Sequence, residues 1–326
     1  MYIEDLKFSL WADFIERDYL DNEFKELIDK KIINGATSNP AIFKNAILTS
    51  SAYKKQLESL QGLSAKEKYE SVAIYDITKA ADILRPLFDE GDDGYVSIEV
   101  DPSLCDSSEA TIAEGKRLFQ SINRPNVMIK VPATEAGYRA MKALTSEGIP
   151  VNATLIFKKS QAINCAKAFK EGIALFGKSV ASVISIFVSR VDRALDAKLL
   201  ENGIEVALSG IYNSAEIYAT IQELNVDGCR ALFASTGVKD DSLPAYYYIE
   251  QLLAYNSVNT APVETIHSFN AHKTSIPALP IDSELIKNHF SKIVAIGINF
   301  DEVLDKQIED GLLAFKDAFK DILEAL

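Results

Sequence analysis

Lys130 stands in the run Val127-Met128-Ile129-Lys130-Val131, where every other residue is apolar, and a Pro-Ala-Thr turn follows at 132–134. A lysine in such a setting is costly unless its ammonium reaches water, meets a partner or reacts. Other apolar runs end in polar side chains too. Asp13 closes SLWAD, Thr37, Ser38 and Asn39 lie in GATSNP, and Glu99 and Asp101 lie in VSIEVD. Asn152 and Thr154 follow in VNATLIF, Ser185 and Arg190 in SIFVSRVD, Ser235 and Lys239 in ASTGVK, and Thr260 in VNTAP.

Strand alternation places Lys130 with Met128, Glu99 with Ser97, and Asn152 with Thr154 on common faces. If those faces look inward, the set has a direct chemical use. Desolvation favours a neutral amine, the form that attacks a carbonyl to make an imine. Glu99 and Asp13 can then shuttle protons, while Asn152 and Thr154 hold water or substrate. Plainer readings stand beside this one. A strand lysine can snorkel or sit in a salt bridge, and Asp13 and Glu99 can each pair with a basic residue. Asn152 and Thr154 can close core hydrogen bonds, and Thr37, Ser38 and Asn39 before Pro40 can form a turn and helix cap. The residue types alone leave these alternatives open.

Elements that could bring these residues together are legible as short apolar strands alternating with longer helical patterns. Strands are expected at Ser9–Asp13, Ile33–Thr37, Tyr95–Val100, Val127–Val131, Pro150–Leu155, Ala181–Phe187, Ala231–Ser235 and Ser257–Ala261. Eight such units match a closed (β/α)8 TIM barrel, with an open parallel sheet as the alternative. Thr49–Leu87 reads as two or three helical segments decorating one end. DDSLPAYYYIEQLLAY reads as a helix capped by Asp241 or Ser242, with Pro244 in its first turn. Ser268–Asp282, broken by Pro277 and Pro280, reads as an irregular exit loop. Leu304, Ile308, Leu312, Phe315, Phe319 and Ile322 form one stripe, so a C-terminal helix should pack back on the barrel. The 326 residues are therefore expected to form a single domain, with the barrel over about 8–265 and terminal helices over about 282–326.

Composition narrows the function. Apolar residues make up 48% and charged residues 25%, a soluble globular balance. A net charge of −13 argues against nucleic acid or an anionic membrane as partner, yet leaves room for a local phosphate site. Cys105, Cys165 and Cys229 are far apart and odd in number, which fits free thiols in a reducing compartment. No run approaches the length of a membrane span and the start has no basic leader, so a cytoplasmic protein is expected. His267, His272 and His289 have no metal-ligand spacing, and no nucleotide-binding glycine motif occurs, so neither a metal site nor nucleotide binding is expected.

In order along the chain, GATSNPAIF, VSIEVDP, VMIKVPAT, VNATLIF, FVSRVD and FASTGVK resemble the transaldolase family from about Phe8 to Pro262. That resemblance implies a (β/α)8 barrel needing no cofactor. It also implies a pentose phosphate pathway transferase, with phosphorylated ketose and aldose substrates. Such enzymes move a dihydroxyacetone unit from sedoheptulose 7-phosphate to glyceraldehyde 3-phosphate, giving erythrose 4-phosphate and fructose 6-phosphate. Lys130 matches the Schiff-base lysine. Asp13 matches the aspartate that takes the hydroxyl proton during carbon–carbon cleavage, and Glu99 with Thr154 matches the pair holding a catalytic water. Asn39 and Asn152 match ligands of the dihydroxyacetone unit, while Thr37 and Ser185 match positions lining the site.

The enamine left by cleavage must wait for an aldehyde, so water has to be restricted, and an apolar Phe187 would help. Related short fructose 6-phosphate aldolases carry tyrosine at that position and glutamine at the position of Glu99, so both residues favour transfer over simple cleavage. The chain departs from the family at Gly237, where many transaldolases have a phosphate-binding arginine. Arg190, Ser235 and Lys239 are the expected phosphate ligands instead, with Lys239 equally readable as a solvated surface residue. A lyase using the same lysine and a non-catalytic phosphosugar-binding barrel are the alternatives. A monomer or homodimer is expected.

Overall fold

A computed structural model describes residues 2–239 and 242–326. Eight parallel strands close into a barrel in chain order: β1 (Ser9–Ala12), β2 (Gly35–Ala36), β3 (Tyr95–Glu99), β4 (Val127–Pro132), β5 (Val151–Ile156), β6 (Ser182–Phe187), β7 (Cys229–Ala234) and β8 (Ser257–Ala261). β1 pairs with both β2 and β8, so the sheet has no free edge. All eight strands match the expected ones to within two residues at each end, although β2 keeps only two residues. Its ladder to β1 still runs from the Asn34 N–H to the Thr37 N–H, at 3.1 and 2.9 Å. Pairing with β3 covers only Gly35 and Ala36.

The strands are buried on both faces, as a parallel sheet wrapped by helices requires. Inside the barrel Trp11, Met128, Val183, Leu232 and Val258 belong to one apolar cluster. Trp11 fits because β2 passes it with a glycine: a Cβ on Gly35 would lie 2.5 Å from the indole Nε1. At the floor, Asp93 accepts from Trp11 Nε1 at 3.1 Å and from Arg230 Nη1 at 2.7 Å. The polar plug holds the end of the barrel where structure, rather than chemistry, is expected.

Between β2 and β3 lie helix Pro40–Thr49 and then Lys54–Ser59 and Ala65–Asp89, the latter two matching the segments expected over 49–87. The segment after β7 is different. Asp241 lies outside the described residues, and the helix begins only at Tyr247 and ends at Gln251. Pro244 precedes it in a turn whose carbonyl accepts from the Tyr247 N–H. The exit loop is also shorter than expected. Helix Val263–His272 buries Thr265, Ile266 and Phe269 on one face and carries the chain regularly to His272.

Helix Ser283–Ala295 and the terminal helix Phe300–Ala325 complete the fold. Leu304, Phe315, Phe319 and Ile322 of the expected stripe are buried, and Ile308 and Leu312 are half-buried. The terminal helix packs on helix Pro40–Thr49 and reaches β5, so it crosses the C-terminal end of the barrel. Tyr69 meets Phe319 edge-on at 5.2 Å, and Lys158–Asp305 and Lys44–Asp321 pairs at 2.6 Å tie its two ends down. No described helix is long and apolar enough to cross a membrane.

Candidate active site

Glu99, Lys130 and Asn152 occupy one register level across three neighbouring strands. Lys130 therefore points into the barrel, its side chain almost fully buried. Its Nζ donates to the Ser38 carbonyl at 3.0 Å and lies 3.4 Å from Glu99 Oε2. Glu99 sits behind the lysine. Burial pushes its carboxyl up to about 7, against the pull of the Lys130 ammonium.

The ends of the strands enclose a cavity of about 290 Å³. Its wall includes Asp13, Thr37, Asn39, Lys130, Asn152, Thr154, Ser185, Phe187, Arg190, Ser235 and Lys239. Every expected site residue except Glu99 thus faces one space at the catalytic end of the barrel. Asn152 donates through Nδ2 to Ser97 Oγ at 3.0 Å and accepts from Ser185 Oγ at 2.6 Å. Thr37 Oγ1 is 2.7 Å from both Asp13 Oδ1 and Thr260 Oγ1, which fixes the orientation of Asp13. Asn39 is both things the sequence allowed. Its Oδ1 caps helix Pro40–Thr49 by accepting from the Ile42 N–H at 3.1 Å, and the residue still lines the cavity. Both Glu99 carboxylate oxygens and Thr154 Oγ1 are buried without a hydrogen-bond partner among the described residues.

Local backbone devices hold these groups. Thr134 caps helix Glu135–Thr145 by accepting from the Gly137 N–H at 3.0 Å. A Cβ on Gly137 would lie 2.0 Å from the Pro132 carbonyl oxygen, so glycine lets this helix sit directly on the end of β4. In β5 the register to β6 slips between Ala153 and Ile156, and Leu155 takes φ 60°. A bulky residue in that region marks strain of a kind that clusters at functional sites. Leu155 comes up under the terminal helix at Gly311, where a Cβ would be 2.9 Å from Leu155 Cδ2.

Phe187 packs against Phe157 with ring centroids 5.4 Å apart, and the Arg190 guanidinium lies 5.0 Å from the Phe187 ring. Ser235, at φ 55°, shares a 3.0 Å contact with Ser189. Asp101, a strand-end carboxylate, does not enter the cavity; it pairs with Lys66 at 2.7 Å. The histidines are elsewhere: His289 meets Ser209 at 2.8 Å, while His267 and His272 meet Glu23 and Glu250.

Two large side chains on the wall were not singled out as site residues from the sequence. Phe315 of the terminal helix places its ring centroid 5.6 Å from Lys130 Nζ. Its place in the apolar stripe was visible, but a stripe does not say what it will cover. Arg193 also lines the cavity, one helical turn beyond Arg190. The three-residue spacing was the available signal.

A family model described as Transaldolase/Fructose-6-phosphate aldolase matches residues 10–326. The chain belongs to the transaldolase/fructose-6-phosphate aldolase family. A protein named transaldolase from Campylobacter jejuni (strain 81-176) is 46% identical over 98% of this chain and 99% of its own length. Another of that name from Helicobacter pylori (strain Shi470) is 42% identical over the same shares. The chain is thus similar to transaldolases along essentially its whole length, including the terminal helix that roofs the cavity.

Proposed function

We propose that this chain is a transaldolase of the pentose phosphate pathway. It transfers a dihydroxyacetone unit from sedoheptulose 7-phosphate to glyceraldehyde 3-phosphate through an imine on Lys130. The observation that carries the mechanism is the buried Lys130 amine on the cavity wall, 3.4 Å from the Glu99 carboxyl.

The amine attacks the ketose carbonyl, and the carbinolamine loses water to give an iminium. Glu99 and Thr154, whose buried oxygens have no hydrogen-bond partner among the described residues, hold the water that carries protons in this step. Asp13, oriented by Thr37, takes the proton from the hydroxyl on the carbon beyond the bond to be broken. That bond breaks, its electron pair moves into the iminium, and an aldose leaves. The enamine adds to the acceptor aldehyde, which takes a proton back from Asp13. Water then hydrolyses the new iminium. Asn39 and Asn152 bind the dihydroxyacetone hydroxyls, with Ser185 fixing Asn152. Phe187 restricts water near the enamine. Arg190, Ser235 and Lys239 bind phosphate. The whole chain works as a single domain, in the cytoplasm, as a monomer or homodimer; its three free, buried cysteines support a reducing compartment.

Borohydride reduction in the presence of fructose 6-phosphate, read by mass spectrometry, tests the mechanism. A dihydroxyacetone adduct on Lys130 that is absent from Lys130→Ala is expected. An adduct that survives in Lys130→Ala sinks the assignment. Rapid release of free dihydroxyacetone without an acceptor aldehyde would make the enzyme a lyase instead.

A further inference from the structure

Three cations line the cavity without a hydrogen bond or ion pair to any described residue: Arg190, Arg193 and Lys239. Five of the six other arginines in this acidic chain are matched. Arg17, Arg85, Arg117, Arg124 and Arg230 each hold a carboxylate. Arg190 and Arg193 instead stand one turn apart on helix Ser189–Glu201, with like charges directed at the same space. Burial, and next the charge of Arg193, hold Arg190 below the usual arginine range. Side by side they repel one another unless an anion lies between them. A phosphate offers each guanidinium paired acceptors in its own plane.

The remaining wall explains why a second cation from this helix is needed. At Gly237 a Cβ would lie 3.0 Å from Pro262 Cγ and 3.4 Å from Cδ. A side chain at that position would crowd the edge of the proline ring, and glycine supplies no cation there.

We propose that Arg193 is a phosphate-binding residue of this site. With Arg190 it clamps the phosphate of donor ketose and acceptor aldose in turn, replacing the cation that position 237 does not supply. This assignment rests on the transfer reading for its substrates. Arg190 is the half-buried inner arm against Phe187, and Arg193 is the exposed outer arm at the mouth. The enzyme therefore selects phosphorylated over free sugars largely through KM, since the phosphate lies far from the bonds that change.

Arg193→Gln tests it with two acceptors. KM for glyceraldehyde 3-phosphate should rise about tenfold, the loss of one charge-assisted contact. KM for unphosphorylated glyceraldehyde should stay the same, and Arg193→Lys should restore part of the difference. A binding measurement independent of turnover accompanies it: calorimetric titration with inorganic phosphate, expected to weaken by a similar factor in Arg193→Gln. Equal KM changes for the two acceptors, or unchanged phosphate affinity, overturn the proposal. If the wild-type chain transfers nothing yet loses phosphate affinity on substitution, the transfer reading falls and the clamp stands.

Discussion

Lys130 and Glu99 are direct cross-strand partners on β4 and β3, and their charged ends approach to 3.4 Å in the interior of the barrel. Neither has a second ion pair among the described residues. Each therefore sets the environment of the other, and removing either leaves an uncompensated buried group.

This coupling gives a pH signature. Burial raises Glu99 to about 7, so the carboxylate that accepts protons forms as pH rises through that value. The rate of imine formation, followed by quenched borohydride trapping, should rise through about pH 7 in the wild type. Glu99→Gln should flatten that rise and slow trapping by about a hundredfold. Identical profiles in the two proteins would remove Glu99 from the proton path.

Phe315 covers the lysine from the terminal helix. Phe315→Ala removes a buried ring and should cost about 3–5 kcal/mol in stability. At temperatures where the variant stays folded, it should still trap substrate on Lys130. It should also release free dihydroxyacetone faster in the absence of acceptor, because water then reaches the enamine. A release rate equal to that of the wild type would show that the ring only packs.

Gly137 joins the reactive strand to its helix. In Gly137→Ala the added Cβ meets the Pro132 carbonyl oxygen, and backbone lies on both sides of the contact. The helix must move off the end of β4, at a cost on the order of 3 kcal/mol. A denaturant midpoint close to that of the wild type would refute the close approach.

Asp192 offers a test of stability rather than catalysis. It is buried, accepts from the Gly210 N–H at 2.7 Å, and burial raises it from 3.8 to about 7. Its proton is held more tightly in the folded state than in the unfolded chain. That contribution is complete below about pH 4 and is lost as pH rises through about 7. Asp192→Asn keeps an acceptor and cannot ionise. Its Tm should exceed that of the wild type by a few degrees near pH 8 and by less near pH 5. A difference independent of pH would contradict the buried charge as its source.

Much of this site was written in strand-end residues. The eight-strand pattern sets Lys130, Asp13, Asn152, Thr154 and Ser185 on one cavity wall because inward faces alternate and barrel strands end at one rim. Contacts made by other elements were less visible. The terminal stripe identified an apolar face, but only the packed fold brings Phe315 over Lys130. Arg193 reads like any solvated helix arginine until the fold sets it beside Arg190 on the cavity wall. Helix Val263–His272 was hidden for a different reason: its polar residues and the prolines at 277 and 280 obscured Thr265, Ile266 and Phe269 as a buried face.

The terminal helix also gives the molecule an order of assembly. A chain made from its N-terminus contains Lys130 and its barrel partners long before Phe315 exists. Until residues 300–325 are synthesised and docked, the rim stands open and the amine can meet any small aldehyde in the surroundings. Nascent or partly unfolded molecules should therefore be the ones that accumulate adventitious carbonyl adducts on this lysine. Chemical damage at Lys130 would then be a record of how long each molecule spent without its roof.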